Sequence, residues 1–424
     1  MQELRKPRQG YKFVKSMFGK YQEIPDDWEI IKLINLCKSK PKYGAAASAL
    51  PKDDHLPRYI RITDLNDEGT LRKDQWASIS EENANSYLLS EGDIVFARTG
   101  ATVGKTYLYN KEDGKCAFAG YLIRFIPNEK KLNTLFLFYY THSYHYWRWL
   151  RSIQTEGVQP NVNAEQYSHL PVTTPLITQQ QKIASILSNV DSLIQQTQKI
   201  IEQTQRLKKG LMQKLLTKGI GHTKFKKIKW HYGKMKEIPE DWSIVPLGKL
   251  CKIRKDGEIQ SNLYVGLEHI GQGNNMLESI GDVKEFTSTK NIFLKGDILY
   301  GKLRPLLNKV WLAESSGYCS IDILPLIVTD NIIDKMLLLI LSYHDFYWYA
   351  VGTSAGTKMP RTNWSDMKKF LIALPKIPEQ KKIIHIFFNI DSKINKLESQ
   401  KSQYETLKKG LMQKLLTGKM CVKV

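Results

Sequence analysis

The segment of this 424-residue chain that is most similar to a catalytic motif is RTGATVGKT at residues 98–106. Its G-x-x-x-G-K-T spacing is one residue shorter than the glycine-rich loop that binds nucleotide phosphates. The corresponding segment in the second half of the chain, KLRPLLNKV at residues 302–310, lacks both glycines. Positive charge is what the two segments share. The pattern therefore favours a basic loop between strands over a nucleotide site, with an ordinary basic hairpin turn as the alternative.

A second pair of loops carries side chains suited to reading base edges. TEGVQPNVN at residues 155–163 corresponds to GTKMPRTNW at residues 356–364. Amide and guanidinium groups can make two hydrogen bonds to one base, and a proline is typical of an exposed turn. The alternative is that the asparagines only cap the turn.

The charge of the chain indicates the partner of these loops. The formal net charge is +21, the pI is about 9.5, and residues 207–236 contain ten lysines and no acidic residue. This imbalance predicts a polyanionic partner, with nucleic acid ahead of a membrane surface, although a solvated hinge or an acidic protein partner could also explain the lysine-rich segment. Because the two halves of the chain repeat each other, we expect that nucleic acid to be double-stranded DNA contacted at two places. The predicted DNA-binding residues are Arg98, Thr99, Gly100, Lys105, Gln159, Asn161, Lys302, Arg304, Lys309, Lys358, Arg361 and Asn363. In this interpretation Gly100 and Gly104 permit close approach of the backbone to DNA.

The sequence predicts no catalytic residue, no metal site and no cofactor. No paired-carboxylate or Ser/His/Asp constellation recurs in both halves, and the tetrapeptide of base methyltransferases, N/D-P-P-Y/F, is not in the sequence. The five cysteines are far apart, which predicts buried free thiols, and the closely spaced His142 and His145 have no nearby carboxylate. Without a long apolar run or a signal-peptide core, we expect a cytoplasmic protein.

The sequence segments that flank these loops occur twice in the chain. LKKGLMQKLLT occurs at residues 207–217 and again at 407–417. IPDDWEI at residues 24–30 matches IPEDWSI at 238–244, and the offset between the halves falls from 214 to 204 and then to 200 along the chain. This period indicates a duplicated domain rather than a solenoid of short repeats.

Each LKKGLMQKLLT segment ends a long helix with a heptad pattern, which we call an arm. Each arm is expected to run about 38 residues, roughly 57 Å, from an N-cap at Thr178 or a first-turn Pro378 to just before Gly219 or Gly418. A heptad seam needs a partner helix, so we predict an antiparallel intramolecular coiled coil. The predicted seam residues are Ile183, Leu187, Val190, Ile194, Ile201, Leu207 and Leu211 in the first arm, and Ile383, Phe387, Ile390, Ile394, Leu397, Leu407 and Leu411 in the second.

The remaining segments predict two α+β globules of one design. Short alternating runs indicate strands, and an inner helix is expected over residues 132–150 and again over 334–351. The predicted fold is two homologous α+β globular domains joined by two long antiparallel helices, with pseudo-two-fold organisation and the N-terminus beside the end of the second arm. The predicted boundaries are 1–175 for the first domain, 176–218 for the first arm, 219–375 for the second domain, and 376–424 for the second arm and tail.

Taken together, the duplicated IPxDW opening, the GDI-(V/L) strand with its RTGATVGK loop, the QPN loop and the arms ending in LKKGLMQKLLT resemble the specificity (S) subunits of type I restriction-modification systems. The resemblance implies two target recognition domains that each read one part of a split DNA sequence. It implies arms that set the spacer and dock two modification (methyltransferase) subunits, with restriction subunits joining the full complex. S-adenosylmethionine and ATP would then belong to the partner subunits.

Three other interpretations of the sequence remain. The first is a stand-alone DNA-binding regulator with a bipartite operator. The second is a nuclease or NTPase built on the loop at residues 98–106. The third is a coiled-coil scaffold without a DNA-binding role.

Overall fold

The computed structural model describes residues 6–15, 21–154, 160–255, 257, 259–285 and 290–423. The chain forms two compact units. Unit 1 comprises Met1–Gln198 and Ser399–Val424, and unit 2 comprises Lys199–Glu398. Both boundaries fall inside the long arms, so each unit contains a globule, part of one arm and part of the other.

The strands and helices of the two units follow the same order, except that unit 1 has one additional short helix and unit 2 has two additional strands. The strands of unit 1 are Tyr11–Lys15 (β1), Tyr21–Pro25 (β2), Glu29–Lys32 (β3), Lys42–Tyr43 (β4), Arg58–Ile60 (β5), Ile94–Ala97 (β6), Thr106–Leu108 (β7), Cys116–Phe118 (β8), Leu122–Phe125 (β9) and Pro171–Thr174 (β10). Those of unit 2 are Phe225–Lys229 (β11), Met235–Pro239 (β12), Ser243–Pro246 (β13), Cys251–Ile253 (β14), Leu263–Val265 (β15), Gly281–Asp282 (β16), Lys290–Phe293 (β17), Ile298–Gly301 (β18), Val310–Leu312 (β19), Gly317–Ser320 (β20), Ile323–Val328 (β21) and Leu371–Leu374 (β22). The helices are Glu81–Ala84 (α1), Thr134–Thr141 (α2), Tyr144–Ser152 (α3), Ala164–Ser168 (α4), Ile177–Lys218 (α5), Asp334–Ser342 (α6), His344–Gly352 (α7), Trp364–Met367 (α8) and Ile377–Leu415 (α9).

The sheets confirm the predicted α+β duplication. A four-stranded antiparallel sheet has the order β4-β9-β6-β7 in unit 1 and β14-β21-β18-β19 in unit 2. A parallel pair of strands also recurs, β5 with β8 in unit 1 and β15 with β20 in unit 2. In unit 2 this pair forms the centre of a four-stranded sheet with the order β16-β15-β20-β17. The hairpins β1-β2 and β11-β12 and the pairs β3-β10 and β13-β22 also correspond.

The central strand of each sheet is buried on both faces. Ile94 and Phe96 of β6 belong to the core that the inner helices cover, whereas Val95 and Ala97 belong to a second core on the opposite face. In β18, Ile298 and Leu299 separate in the same way. Alternate side chains of a strand point to opposite faces, so two cores hold the strand in place and with it the loop at its end.

The prediction of one inner helix per unit is wrong. The segment forms two helices, α2 and α3 in unit 1 and α6 and α7 in unit 2. In unit 1 the break lies at Ser143, whose hydroxyl accepts a hydrogen bond from the backbone N–H of Tyr146 and caps α3. A local cap of this kind competes with continuation of the helix.

The arms pack against each other within each unit, as predicted. In unit 1, Ile183 and Leu187 of α5 share a core with Leu415 and Leu416 of α9. In unit 2, Leu215 and Leu216 share a core with Ile383 and Phe387, the same arrangement with the helices exchanged. The start of one helix thus lies against the end of the other, which makes the two helices antiparallel in each unit.

The predicted seam is wrong at Leu207 and Leu407, which are 56% and 48% exposed. Thr204 and Tyr404 occupy the seam position that precedes each of these leucines. The heptad alternation of three and four residues requires a step of four from there, so the next seam positions are Lys208 and Lys408. Each lysine forms an ion pair across the helices, Lys208 with Asp391 at 2.5 Å and Lys408 with Asp191 at 2.6 Å. Among the other predicted seam residues, those buried are Ile183, Leu187, Val190, Ile201, Ile383, Phe387 and Ile394, and those half-buried are Ile194, Leu211, Ile390, Leu397 and Leu411.

A buried glutamine ties each arm to the inner helices. Gln180 accepts a hydrogen bond from the backbone N–H of Asn133 at 2.9 Å and donates to the carbonyl groups of Lys131 and Pro175. Gln380 makes the same three bonds in unit 2. The arm begins at Ile177, one residue before the predicted N-cap Thr178, because the backbone N–H of Gln180 already bonds to the carbonyl of Leu176.

The IPxDW tryptophan holds the start of one arm near the end of the other within each unit. The indole N–H of Trp28 donates to Gln179 at 3.0 Å, and that of Trp242 donates to Glu379 at 2.9 Å. A Cβ at Gly418 would lie 2.4 Å from Pro25, so this junction requires glycine. The Tyr11 hydroxyl lies 3.4 Å from Cys421 Sγ, which places the first described strand beside the C-terminal tail, as predicted.

The structure also bears on the cysteines and on possible metal ligands. All five cysteines are free; Cys116, Cys251 and Cys319 are buried and Cys37 is half-buried, but the prediction is wrong for the exposed Cys421. Burial raises the pKa of the Cys116 thiol to about 12.

Among the described residues, no group of three histidine, cysteine or carboxylate side chains could hold a metal ion. No helix in that part of the chain is both long and apolar enough to cross a bilayer.

Candidate nucleic-acid interface

The two predicted loops of unit 1 form hydrogen bonds with each other. Thr99 and Asn161 form an antiparallel bridge. The backbone N–H of Gly100 donates to the carbonyl of Pro160 at 2.9 Å, and that of Val162 donates to the carbonyl of Arg98 at 2.8 Å. The basic loop and the proline loop therefore make one surface, which neither loop forms alone.

Unit 2 repeats this pairing atom for atom along the backbone. Leu303 and Arg361 form the bridge. The N–H of Arg304 donates to the carbonyl of Pro360 at 2.7 Å, and that of Thr362 donates to the carbonyl of Lys302 at 3.0 Å. The loops align as the sequence predicted, and their geometry depends on backbone groups rather than on particular side chains.

A third segment, just before strand β9 or β21, completes each surface. The backbone N–H of Arg98 donates to the carbonyl of Tyr121 at 3.0 Å, and that of Lys302 donates to the carbonyl of Asp322 at 2.9 Å. We call the result the paired-loop surface. It comprises residues 98–102, 120–121 and 160–162 in unit 1, and residues 302–306, 321–322 and 358–362 in unit 2.

The left-handed backbone of the basic loop survives the loss of its glycines. Gly100 has φ 70° and its counterpart Arg304 has φ 49°, while Gly104 has φ 89° and its counterpart Asn308 has φ 45°. A side chain in this region costs about 1 kcal/mol or more, which asparagine tolerates better than most residues. Asn308 also donates a side-chain hydrogen bond to the carbonyl of Ser342 at 3.1 Å.

The interpretation of Gly104 as a point of DNA approach is wrong. Gly104 is buried, and a Cβ there would lie 2.1 Å from Leu150 of α3. Its role is close packing of the loop onto the inner helix. Gly100 is different, because a Cβ there would meet nothing within 4 Å. The space beside Gly100 is open, as a binding surface requires.

In unit 1 the paired-loop surface presents an arginine, an amide and a tyrosine. The guanidinium carbon of Arg98 lies 4.9 Å from the centre of the Tyr43 ring, a cation–π distance that fixes the arginine in orientation. Asn161 is exposed, and the Tyr121 side chain is 62% exposed. Thr99 is half-buried and contributes mainly through the backbone bridge.

In unit 2 the same backbone presents a different set of side chains. Arg304 and Lys358 are exposed, and Lys302 is half-buried. Arg361 donates two hydrogen bonds to Asp322, at 3.1 and 3.4 Å. Two of the five guanidinium donors are thus used in orienting the side chain, which is the arrangement that a base-reading arginine needs.

Lys105 and Lys309, both predicted to bind DNA, turn back into the scaffold instead. Lys105 Nζ forms an ion pair with Asp67 at 2.7 Å, and the lysine side chain is only 16% exposed. This hydrogen bond lowers the pKa of the Asp67 carboxyl. Lys309 Nζ donates to the backbone carbonyl of Leu267 at 2.7 Å. In both units the lysine fastens the segment that follows β5 or β15.

The predicted asparagine and glutamine contacts have separate outcomes. Asn363 is exposed at the N-cap of α8, and its side chain makes no capping hydrogen bond. Its counterpart Asn163, which was not predicted, caps α4 reciprocally with Gln166. Capping therefore describes Asn163, and not the predicted contact Asn363. Gln159 lies outside the described residues.

Nucleotide-site geometry is not formed by residues 98–106. A phosphate-binding loop joins a strand to the N-terminus of an α-helix. Here the segment joins β6 to β7 within an antiparallel hairpin, and residues 100–102 form a single 3-10 turn. The contact of Lys105 with Asp67 also removes the lysine that such a loop would use.

Four of the ten lysines in the lysine-rich segment, residues 207–236, form ion pairs or hydrogen bonds within unit 2. Lys218 pairs with Glu237, Lys236 with Asp345, and Lys226 Nζ donates to two backbone carbonyl groups. Lys208 pairs with Asp391. Six further lysines of this segment are exposed: Lys209, Lys214, Lys224, Lys227, Lys229 and Lys234.

Sequence reasoning missed Tyr121, Asp322 and the exposed Leu306. Tyr121 and Asp322 lie at the start of the runs predicted as strands, residues 121–126 and 321–328, but the strands begin one residue later, at Leu122 and Ile323. Their position at a strand end, where the chain approaches the basic loop, is the signal that could have identified them. Leu306 corresponds to Thr102, whose hydroxyl bonds to the carbonyl of Thr99. An apolar residue at the tip of a turn is unusual enough to have been noticed.

Comparison with known proteins agrees with this architecture. A family model described as the type I restriction modification DNA specificity domain matches residues 25–206 and 239–404. The type I restriction enzyme MjaVIII specificity subunit of Methanocaldococcus jannaschii is 27% identical over 437 residues, covering 96% of each chain.

Two solved structures share the fold. A chain from a study of complex assembly and conformational transition of the type I R-M system has a TM-score of 0.59 and 15% identity, covering 94% of this chain and 100% of that one. The type I restriction-modification system S subunit from M. genitalium has a TM-score of 0.55 and 14% identity, covering 92% and 96%. Because the family model matches both halves of the chain, this protein belongs to the family of type I restriction modification DNA specificity proteins.

Proposed function

We propose that this chain is the DNA sequence-specificity subunit of a type I restriction-modification enzyme, and that each paired-loop surface binds one part of a bipartite target. The observation that supports this most strongly is the repetition of one backbone surface with two different sets of exposed polar side chains. A reader of two unlike half-targets needs a constant scaffold and variable contacts. A chain of net charge +21 also has the electrostatic character of a DNA-binding protein.

The cations of the second surface and the side chains placed at the loops have separate tasks. Arg304, Lys302 and Lys358 supply attraction to phosphate groups, which depends on salt but not on sequence. Arg361, held by Asp322, and Asn161 are placed to read base edges, where each good pair contributes about 1–3 kcal/mol of discrimination.

The arms dock two modification subunits and set the spacer between the half-targets, and restriction subunits join that assembly. This chain performs no catalysis in the proposal. S-adenosylmethionine and ATP bind to the partner subunits, which agrees with the use of Lys105 as a structural residue. The name of the MjaVIII relative, a specificity subunit of a restriction enzyme, supports the assignment of such partners.

A stand-alone bipartite DNA-binding regulator is the alternative, since it would use the same two surfaces. The two functions differ in their need for partners. Tight, sequence-specific binding by the purified chain alone, with no co-purifying methyltransferase, would favour the regulator.

The test measures binding of the assembled complex to its methylation target over a range of salt concentrations. Arg304→Gly removes a cation and suits the left-handed backbone, so the fold is retained. We expect about 10-fold weaker binding and a salt slope reduced by about 1, while Arg304→Lys keeps most of the affinity. Lys105→Ala is the matched control and should have little effect on binding, because Lys105 is paired with Asp67. Binding that does not depend on salt would contradict the proposal.

A further inference from the structure

The paired-loop surface of unit 2 contains three large apolar side chains exposed to solvent. Leu306 is 57% exposed, Ile321 is 49% exposed and Met359 is 47% exposed. They come from the three segments that the backbone hydrogen bonds hold together. At two of these positions unit 1 has Thr102 and Gly120, so the apolar character belongs to unit 2.

Leu306 is held in a defined turn rather than on a loose loop. It lies in a 3-10 turn over Pro305–Leu307, between two residues with left-handed backbone conformation. The backbone N–H of Asn308 donates to the carbonyl of Pro305 at 3.0 Å. Such a turn keeps the leucine exposed even though exposure of an apolar side chain is unfavourable.

The neighbours of these side chains indicate what covers them. Arg304 and Lys358 are exposed, and Arg361 is half-exposed at 46% of its side-chain surface. A protein partner would have to bury these cations, whereas DNA phosphates would pair with them. A duplex is therefore the occupant that satisfies the charges and the apolar groups together.

The major groove presents one kind of apolar group, the C5-methyl group of a pyrimidine. We propose that Leu306, together with Ile321 and Met359 of the same surface, recognises C5-methyl groups in the half-target bound by unit 2. This inference rests on the proposed function and adds the chemistry that the second surface selects. Thymine and 5-methylcytosine carry the same group, and the test separates them.

The experiment uses the complex of this chain with its modification subunits and duplexes that contain its mapped target. Each thymine of the second half-target is replaced in turn by uracil, which removes only the methyl group, and each cytosine by 5-methylcytosine. We expect at least one uracil substitution to weaken binding by about 3- to 10-fold, the effect of removing a buried methyl contact. If 5-methylcytosine is the natural ligand, its substitution strengthens binding instead.

The variant Leu306→Ala should bind the thymine duplex as weakly as the wild type binds the uracil duplex, and should no longer distinguish the two. Leu306→Met, which keeps an apolar side chain, should retain the discrimination. Ile244→Ala is the control, because Ile244 is an exposed apolar residue of unit 2 outside the paired-loop surface, and it should leave the discrimination unchanged.

Equal binding of thymine and uracil duplexes by the wild type, or a second half-target without any C5-methyl group, would overturn the inference while leaving the proposed function intact. Loss of all sequence-specific binding in the wild-type complex would instead refute the proposed function. Discrimination that persists in Leu306→Ala would show that another residue reads the methyl group.

Discussion

The two paired-loop surfaces have the same backbone and different chemistry. Arg304 takes the place of Gly100, Asp322 that of Tyr121, and Arg361 that of Asn161, yet every backbone hydrogen bond between the loops is kept. Because the loops are joined through main-chain groups, the exposed side chains can change without loss of the surface. This separation of scaffold from contact is what a reader of two different half-targets requires.

The junctions below the surfaces show the opposite behaviour. Gln180 and Gln380 are both fully buried and make the same three hydrogen bonds. Trp28 and Trp242 are both buried and donate to the residue that precedes each glutamine. Residues that join the arms to the globules therefore keep their identity or their role, and residues that face solvent at the loops do not.

The largest effect that the comparison predicts is a change of target. Replacing residues 225–375 with those of a relative keeps unit 1 and both arms while renewing the second surface. Methylome sequencing should then show one half-target changed and the other retained. A change in both halves would contradict independent reading by the two units.

Substitution of the buried glutamines should give the largest loss of stability, and it should be similar in both units. Gln180→Leu or Gln380→Leu leaves a buried backbone N–H and two carbonyl groups without a partner. We expect a loss of about 2–4 kcal/mol in the free energy of unfolding, measured by urea denaturation. Gln181→Leu is the matched control on the exposed side of α5 and should change stability by less than about 0.5 kcal/mol. An effect confined to one unit would show that the junctions are not equivalent.

The ion pairs of the seam should contribute less and should differ between units. Asp191 also accepts a hydrogen bond from Tyr139 at 2.8 Å, and its side chain is 25% exposed, against 44% for Asp391. A double-mutant cycle on Lys408 and Asp191 should give a coupling of about 1 kcal/mol, and the cycle on Lys208 and Asp391 a smaller one. Equal couplings would mean that Tyr139 and the difference in exposure have no influence.

The smallest predicted effect concerns pH. Burial lowers the pKa of His142 in unit 1 and of His231 in unit 2 below the ordinary value of 6.5. These histidines then bind protons more readily in the unfolded chain than in the folded one. Their contribution to the free energy of unfolding is therefore fully present above pH of about 6.5 and declines as the pH falls through that value. Thermal unfolding at about pH 7.5 and about pH 5.5 should show this decline, and His142→Phe should reduce it. Greater stability at the lower pH would reverse the assigned sign.

Much of this architecture can be predicted from the internal repeat of the amino-acid sequence. The offsets of 214, 204 and 200 correctly align Trp28 with Trp242, Gly100 with Arg304, and Pro160 with Pro360. The alternation of four-residue and three-residue steps between seam positions also indicates Lys208, because a step of three from Thr204 to Leu207 would break the heptad. Leu207 is apolar but does not fit this alternation.

Other features depend on tertiary contacts that no local pattern carries. The pairing of residues 98–102 with residues 160–162 joins segments about sixty positions apart in sequence. The contact of Lys105 with Asp67 depends on where the chain passes after β5, and Gly104 is required by Leu150 of α3. The local sequence of a loop does not distinguish a lysine or glycine that faces DNA from one that packs against the scaffold.

In the proposed function, two unlike surfaces on one repeated scaffold read two unlike half-targets. The most direct test is methylome sequencing of cells that express this chain with its modification subunit and lack other methyltransferases. The claim predicts one methylated motif with two different specific parts separated by a spacer of fixed length. A single continuous motif, or two identical halves arranged as a palindrome, would contradict it.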